Sequence, residues 1–254
     1  MKLDIYEIMK EIHKDISSGN LIFANENQFQ FELAWRIKEK YKEYDVLFEV
    51  VYLDDVKNNK QNSMENKNDE NKKNYTDLVI VDNSSNENEY IAIELKYKTV
   101  RVPGDENYDM LKDQGAQGLA GYDYLKDLSR LEYLKDNEAK QFEFYKKYKK
   151  PKFCMGYAII LTNDRSYYYN NWQDTQSQDF TFHNTNCIQK GKRLEWKIDD
   201  SKKNNFGEDR QNPIVLKGDY NCDWKPVVPA KMDKYDKHNF YYLILKVCRD
   251  NYGN

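Results

Sequence analysis

Residues 91–98, Ile91-Ala92-Ile93-Glu94-Leu95-Lys96-Tyr97-Lys98, decide how this chain reads. On a β-strand, alternate side chains share a face. Ile91, Ile93, Leu95 and Tyr97 form an apolar face suited to a core. Ala92, Glu94, Lys96 and Lys98 form the other face, which presents a carboxylate beside an ammonium. Taken alone, a Glu-x-Lys pair is an ordinary exposed ion pair on a strand. Its neighbours give it a second reading.

Upstream lies a short apolar run, 77–82 (DLVIVD), separated from this strand by the polar stretch 83–89 (NSSNENE). Apolar runs joined by a polar turn predict a hairpin. A turn centred between Ser85 and Asn86 sets Asp77 opposite Glu94, with Cβ atoms about 4.5–5.5 Å apart. Two carboxylates and a lysine then converge on one patch. Carboxylates held together repel, and a divalent cation relieves the repulsion. Hard oxygen ligands with open positions suit Mg²⁺, with Mn²⁺ as the alternative. A lysine beside such a cation orients a water or steadies charge developing on a phosphate.

The flanking sequence supplies the layers. Residues 3–17 and 26–42 carry apolar side chains near the helical period, and Asn25-x-x-Gln28 fits a capping box at the start of the second helix. In that helix Phe29, Leu33, Ile37 and Tyr41 define the buried arc. Glu26 and Gln30 fall within it, and Glu32 falls opposite. A glutamate on a buried face needs a partner or a metal, although first-turn acids also serve the helix dipole. Residues 45–53 read as a strand. A long helix is expected at about 114–135 with another to about 150, then strands at 153–162 and 239–248. The order predicts an α/β fold with a mixed central sheet flanked by helices. One domain over 1–254 is expected, with a polar insertion at about 54–74.

Composition narrows the function. The 254 residues carry 40 Lys and Arg against 43 Asp and Glu, which excludes a wholesale basic coat for nucleic acid. Mean hydropathy is low, at -1.01, yet 15% of the chain is aromatic, which argues for a folded protein with a polar surface. The four cysteines fall in no C-x-x-C spacing, and the three histidines form no H-E-x-x-H motif. No apolar run is long enough to span a membrane, and no signal peptide opens the chain. A cytoplasmic protein with reduced thiols is the expectation.

Asp77 in Tyr75-Thr76-Asp77-Leu78-Val79-Ile80, followed by Glu94-Leu95-Lys96, resembles the motif of the PD-(D/E)xK phosphodiesterase superfamily, the restriction-endonuclease-like nucleases. The resemblance covers roughly residues 22–162, with Thr76 where the name-giving proline would stand. It implies an αβββαβ core, Mg²⁺ held by Asp77 and Glu94, and Lys96 as the catalytic lysine. It also implies Glu26 as an acid contributed by the first core helix. In some branches a Gln and a Tyr on the helix after the third strand join the site. Gln117 and Tyr122 are similar to that pair, with Gln114 one turn earlier.

Weaker signals remain. Gly115, Gly118 and Gly121 suggest a helix lying close to the sheet. Asp127 and Arg130 read most simply as a surface pair, with a phosphate contact by Arg130 as the sharper option. Lys146, Lys147, Lys149 and Lys150 interleave with Phe144, Tyr145 and Tyr148, which suits nucleic acid or a solvated helix end. His183, Cys187 and Cys222 lack a fourth partner for zinc. The expected function is a metal-dependent nuclease hydrolysing phosphodiester bonds of nucleic acid. The rival is a non-catalytic nucleic-acid-binding or protein-interaction module that keeps the fold. The sequence leaves DNA or RNA, and monomer or homodimer, open.

Overall fold

The computed structural model describes residues 2–53, 73–82, 88–103, 109–137, 148, 151–169, 172–198, 206–226 and 239–249. The expected insertion lies outside these residues except for Lys73 and Asn74, which open a strand.

Two helices come first, α1 (Ile5–Ser17) and α2 (Glu26–Lys40). Each starts where a side chain satisfies a free helix amide. Asp4 accepts from Glu7 N, and Asn25 accepts from Gln28 N, both at 3.0 Å. Beyond α1 the chain turns through Gly19, whose φ of 76° belongs to the left-handed region that glycine tolerates. Three strands follow, β1 (Tyr44–Leu53), β2 (Lys73–Asp82) and β3 (Glu89–Lys98). A minor pair, β4 (Val102–Pro103) and β5 (Asp109–Leu111), leads to the long helix α3 (Gln117–Asp136). Strand β6 (Lys152–Thr162) and a short helix α4 (Arg165–Tyr169) come next. The remainder holds β7 (Cys187–Ile188), β8 (Arg193–Leu194), β9 (Ile214–Val215), β10 (Tyr220–Asn221), β11 (Lys225–Pro226) and β12 (Tyr241–Cys248).

The main sheet has six strands in the order β1-β2-β3-β6-β12-β11. β3 and β6 are parallel and the other pairings are antiparallel, so the sheet is mixed. A parallel pair needs a long crossover, and α3 lies within it. Both faces of the sheet are covered. On one face Leu78, Ile80, Ile91, Ile93, Ile159 and Leu161 join the apolar sides of α1 and α2. On the other, Val79, Val81, Ala92, Ala158 and Ile160 join Leu125, Leu128 and Leu131 of α3. Burial on both faces explains why 90–97 and 153–162 read as nearly continuous apolar runs.

The irregular C-terminal third packs along α3. Tyr122 stacks on Trp196, and Glu132 accepts from the amides of Lys217 and Gly218 and from the Tyr220 hydroxyl. The glycines expected to bring α3 close to the sheet do something else. A Cβ on Gly118 would lie 2.7 Å from Ser177 Oγ, and one on Gly121 would lie 2.6 Å from Trp172 and 2.8 Å from the Phe180 carbonyl oxygen. They admit the C-terminal segment, while Gly115 meets nothing within 4 Å.

Candidate active site

The site begins where β2 leaves β3. The antiparallel register runs from Asp82↔Glu89 to Leu78↔Ile93, and the next pair in that register is Asp77 and Glu94. The ladder stops there. Asp77 turns its side chain to the neighbouring strand, and Oδ2 accepts from Leu95 N at 2.6 Å. On the other side of β2, the β1 ladder skips the same row. Phe48 pairs with Leu78 and Val50 with Thr76, while Glu49 between them has φ 48°. Such a conformation is costly for a residue with a Cβ and marks local strain. Gln30 fastens this kink from α2. Its Nε2 donates to Glu49 Oε1 at 3.0 Å and to the Asp77 carbonyl at 2.8 Å.

Glu94 and Lys96 share a face, as the alternation requires, but that face is not open. Helix α3 covers it, and Glu94 is only 2% exposed. Lys96 Nζ lies 2.6 Å from Asp127 Oδ2. Arg130 Nη2 lies 3.1 Å from Glu94 Oε2 and 2.5 Å from Asp127 Oδ1. The expected surface pair of Asp127 and Arg130 is therefore a correction: Asp127 is 3% exposed and ties α3 to β3. Glu26 enters from α2, on the opposite side of the sheet. Its Oε2 accepts from Tyr97 N at 2.7 Å, and its charge acts on both Asp77 and Lys96. The structure thus brings Glu26, Asp77, Glu94 and Lys96 into one electrostatic neighbourhood.

Burial dominates the proton affinities. It pushes the Asp77 carboxyl up to about 7, against the pull of Lys96 and the Leu95 amide, while Asp127 and Glu26 push further upward. Burial also raises Glu94 well above the usual carboxylate range. Arg130 opposes the rise, and Asp127 and Asp77 add to it. For Lys96, burial works downward, but Asp127, Glu26 and Asp77 together outweigh it and hold the ammonium charged. These are the desolvation and charge effects expected of a crowded buried cluster.

Asp77 and Glu94 are the residues that could hold a divalent cation. Four acidic side chains (Glu26, Asp77, Glu94, Asp127) share this neighbourhood with two cationic ones (Lys96, Arg130), and a divalent cation would take the place of the protons that burial favours on Asp77 and Glu94. Glu94 Oε1 is buried and has no hydrogen-bond partner, and an orphaned carboxylate oxygen is costly. Among the described residues no three His, Cys, Asp or Glu side chains form a metal-holding group by themselves. Mg²⁺ tolerates that, since it commonly keeps waters and substrate oxygens beside one or two carboxylates.

Other sequence expectations fare differently. Gln117 opens α3 and donates to Asp164 Oδ2 at 3.0 Å. Tyr122 is a correction. Its ring is 1% exposed against Phe180 and Trp196, and its hydroxyl donates to the Asn212 carbonyl at 2.9 Å, so it is a core residue and presents no face to nucleic acid. Lys146, Lys147, Lys149 and Lys150 lie outside the described residues. The His183, Cys187 and Cys222 trio forms no metal group, and His183 contacts Thr181 through Nδ1. Two grooves of about 390 and 410 Å³ run along α2 beside Phe31, and Glu26, Asp77, Glu94 and Asp127 line neither.

Sequence reasoning placed Asp127 and Arg130 on the surface, and so missed their link to Glu94 and Lys96, and it missed the Gln30–Glu49 brace. A signal for Asp127 existed. It occupies one stripe of α3 with Ala120, Tyr124, Leu131 and Leu134, all buried, and a carboxylate on an apolar stripe requires a partner. Nothing in the sequence pattern announced the kink at Glu49.

Comparison with protein families, with characterised proteins and with solved structures finds no match. Among the described residues, no helix is long and apolar enough to cross a membrane.

Proposed function

We propose that this protein is a metal-dependent nuclease of the restriction-endonuclease-like type, hydrolysing phosphodiester bonds of nucleic acid. One observation carries the reading: Asp77 and the Glu94-x-Lys96 pair meet at the point where β2 parts from β3, with Glu94 Oε1 buried and unpartnered. The succession α2-β1-β2-β3-α3-β6, interrupted only by the minor pair β4 and β5 between β3 and α3, supports an αβββαβ core for that site. Four free cysteines suit a reducing cytoplasm.

Asp77 and Glu94 would hold Mg²⁺ or Mn²⁺. The chemistry such a cation supplies when bound is polarisation of a phosphoryl oxygen and acidification of a water. The chain's own residues do the rest. Lys96, kept charged by Asp127, steadies negative charge that grows on the phosphoryl oxygens. Glu26, fixed on the Tyr97 amide, adds a carboxylate that orients Lys96 and an incoming water. Gln30 holds the Asp77 backbone and so fixes where that carboxylate points.

A second reading has its own observation. The Lys96–Asp127 and Arg130–Glu94 pairs compensate the buried charges internally, as a non-catalytic module retaining the fold would. A nuclease assay on single- and double-stranded DNA and RNA decides between them. The enzyme cleaves at least one substrate with Mg²⁺ or Mn²⁺ and stops in EDTA. Failure on every substrate with every divalent metal would leave the binding module.

A further inference from the structure

The geometry points to Arg130 as an exchangeable counter-ion, pairing with the ionised Glu94 carboxylate while no divalent cation is bound and receiving a substrate phosphate oxygen once one is. This rests on the nuclease reading and adds to it a residue from α3 with a named ligand chemistry.

Three features of Arg130 carry the inference. Its Nη2 serves both Glu94 Oε2 and Asp127 Oδ1, so one corner of the guanidinium does the work of two ion pairs. Its Nε is buried and has no hydrogen-bond partner. The side chain is nevertheless 26% exposed, whereas those of Glu94 and Asp127 are 1% and 4% exposed. A guanidinium carries five donors in a planar fork that matches phosphate oxygens. Here the fork is anchored through Nη2, its Nε donor is unspent, and the side chain as a whole is partly exposed beside the carboxylates. A purely structural arginine in so buried a cluster would be expected to satisfy its Nε.

The exchange follows from charge. The carboxyl group of Glu94 offers one oxygen to Arg130 and leaves the other without a partner. A divalent cation drawn to Oε1 would sit across a single carboxylate from the guanidinium, and like charges at that range repel. Cation binding therefore weakens the Arg130–Glu94 contact. Asp127 keeps the guanidinium beside the site, where the substrate's phosphate is the next anion available. Lys96 is held differently. Its side chain is 17% exposed and its ammonium is paired with Asp127. Arg130 alone contacts Glu94 directly by an ion pair among the described residues.

The test uses Arg130→Gln and Arg130→Lys in the full chain, after far-UV circular dichroism has shown both to be folded. Mn²⁺ alone is titrated by calorimetry. Arg130→Gln should bind Mn²⁺ about tenfold more tightly than wild type, because the competitor is gone. Arg130→Lys, which keeps the charge, should stay near wild type. Binding of short fluorescent DNA and RNA oligonucleotides is then measured in Ca²⁺. Arg130→Gln should lose roughly tenfold, the scale of one charge-assisted contact, and Arg130→Lys should lose less. Unchanged or weaker Mn²⁺ binding in folded Arg130→Gln would overturn the counter-ion role. Tighter Mn²⁺ with unaltered oligonucleotide binding would overturn the phosphate role. A wild-type protein that binds no Mn²⁺, or a Glu94→Gln variant that binds it equally well, would instead remove the metal reading on which the inference rests.

Discussion

Lys96 on β3 and Asp127 on α3 meet with Nζ and Oδ2 2.6 Å apart, and this contact joins the middle of the sheet to the helix that covers it. Asp127 is nearly inaccessible and also holds Arg130. A carboxylate so placed either has its cations or is a liability.

Asp127→Asn should therefore destabilise the protein by about 3 kcal/mol, the scale of breaking a buried ion pair by removing one partner. Urea unfolding at neutral pH measures it. In a double-mutant cycle with Lys96→Met the two losses should fall well short of adding, because each variant removes the same contact. Additive losses would show that the pair contributes nothing as a pair.

Lys96→Met separates catalysis from binding. Methionine keeps much of the stem packing and removes the charge. In the nuclease reading, turnover should drop by at least about a hundredfold, as for other losses of charge stabilisation in the transition state. Nucleic-acid binding should largely survive, since phosphate contacts elsewhere set affinity. Full activity in this variant would put the catalytic centre somewhere else.

Asp77 predicts a pH dependence of unexpected sign. Its folded carboxyl is raised from the ordinary 3.8 to about 7, chiefly by burial. Between about pH 4 and pH 7 the folded state keeps a proton that the unfolded chain releases, so stability falls as pH rises through that window. Glu94 is shifted in the same direction and deepens the effect. Urea midpoints taken across this range without divalent metal should decline with pH, and Asp77→Asn should flatten the decline. A wild-type midpoint that rises with pH would contradict the buried placement of both carboxylates.

Gly121 within α3 and Gly115 just before it give a test of packing. Gly121→Ala places a Cβ within 2.8 Å of the Phe180 carbonyl oxygen, a backbone atom that cannot swing aside. A loss of about 1–3 kcal/mol is expected, as for other overpacked sites. Gly115→Ala meets nothing within 4 Å and should leave the melting temperature nearly unchanged. Equal effects at the two positions would mean that the C-terminal segment does not lie on α3.

What the sequence determined by itself was everything that local pattern encodes. Apolar periodicity placed α1, α2, β1, β3, β6 and β12 to within a few residues, and Asn25 marked the start of α2. The position of the polar stretch 83–89 in the sequence was enough to predict Asp77 in the row of Glu94, because hairpin register follows from where the two strands are joined. Tertiary structure decided the rest. Whether the Glu94–Lys96 face is open or covered depends on which side of the sheet α3 crosses, and strand alternation is silent on that. The kink at Glu49, braced by Gln30, arises from three elements meeting. Tyr122 and the glycines of α3 took their roles from a C-terminal segment with no regular pattern to read. Asp127 and Arg130 became part of the site only when α3 lay down on β3. Burial then turned a pair that in water would have contributed little into the central electrostatic contact of the fold.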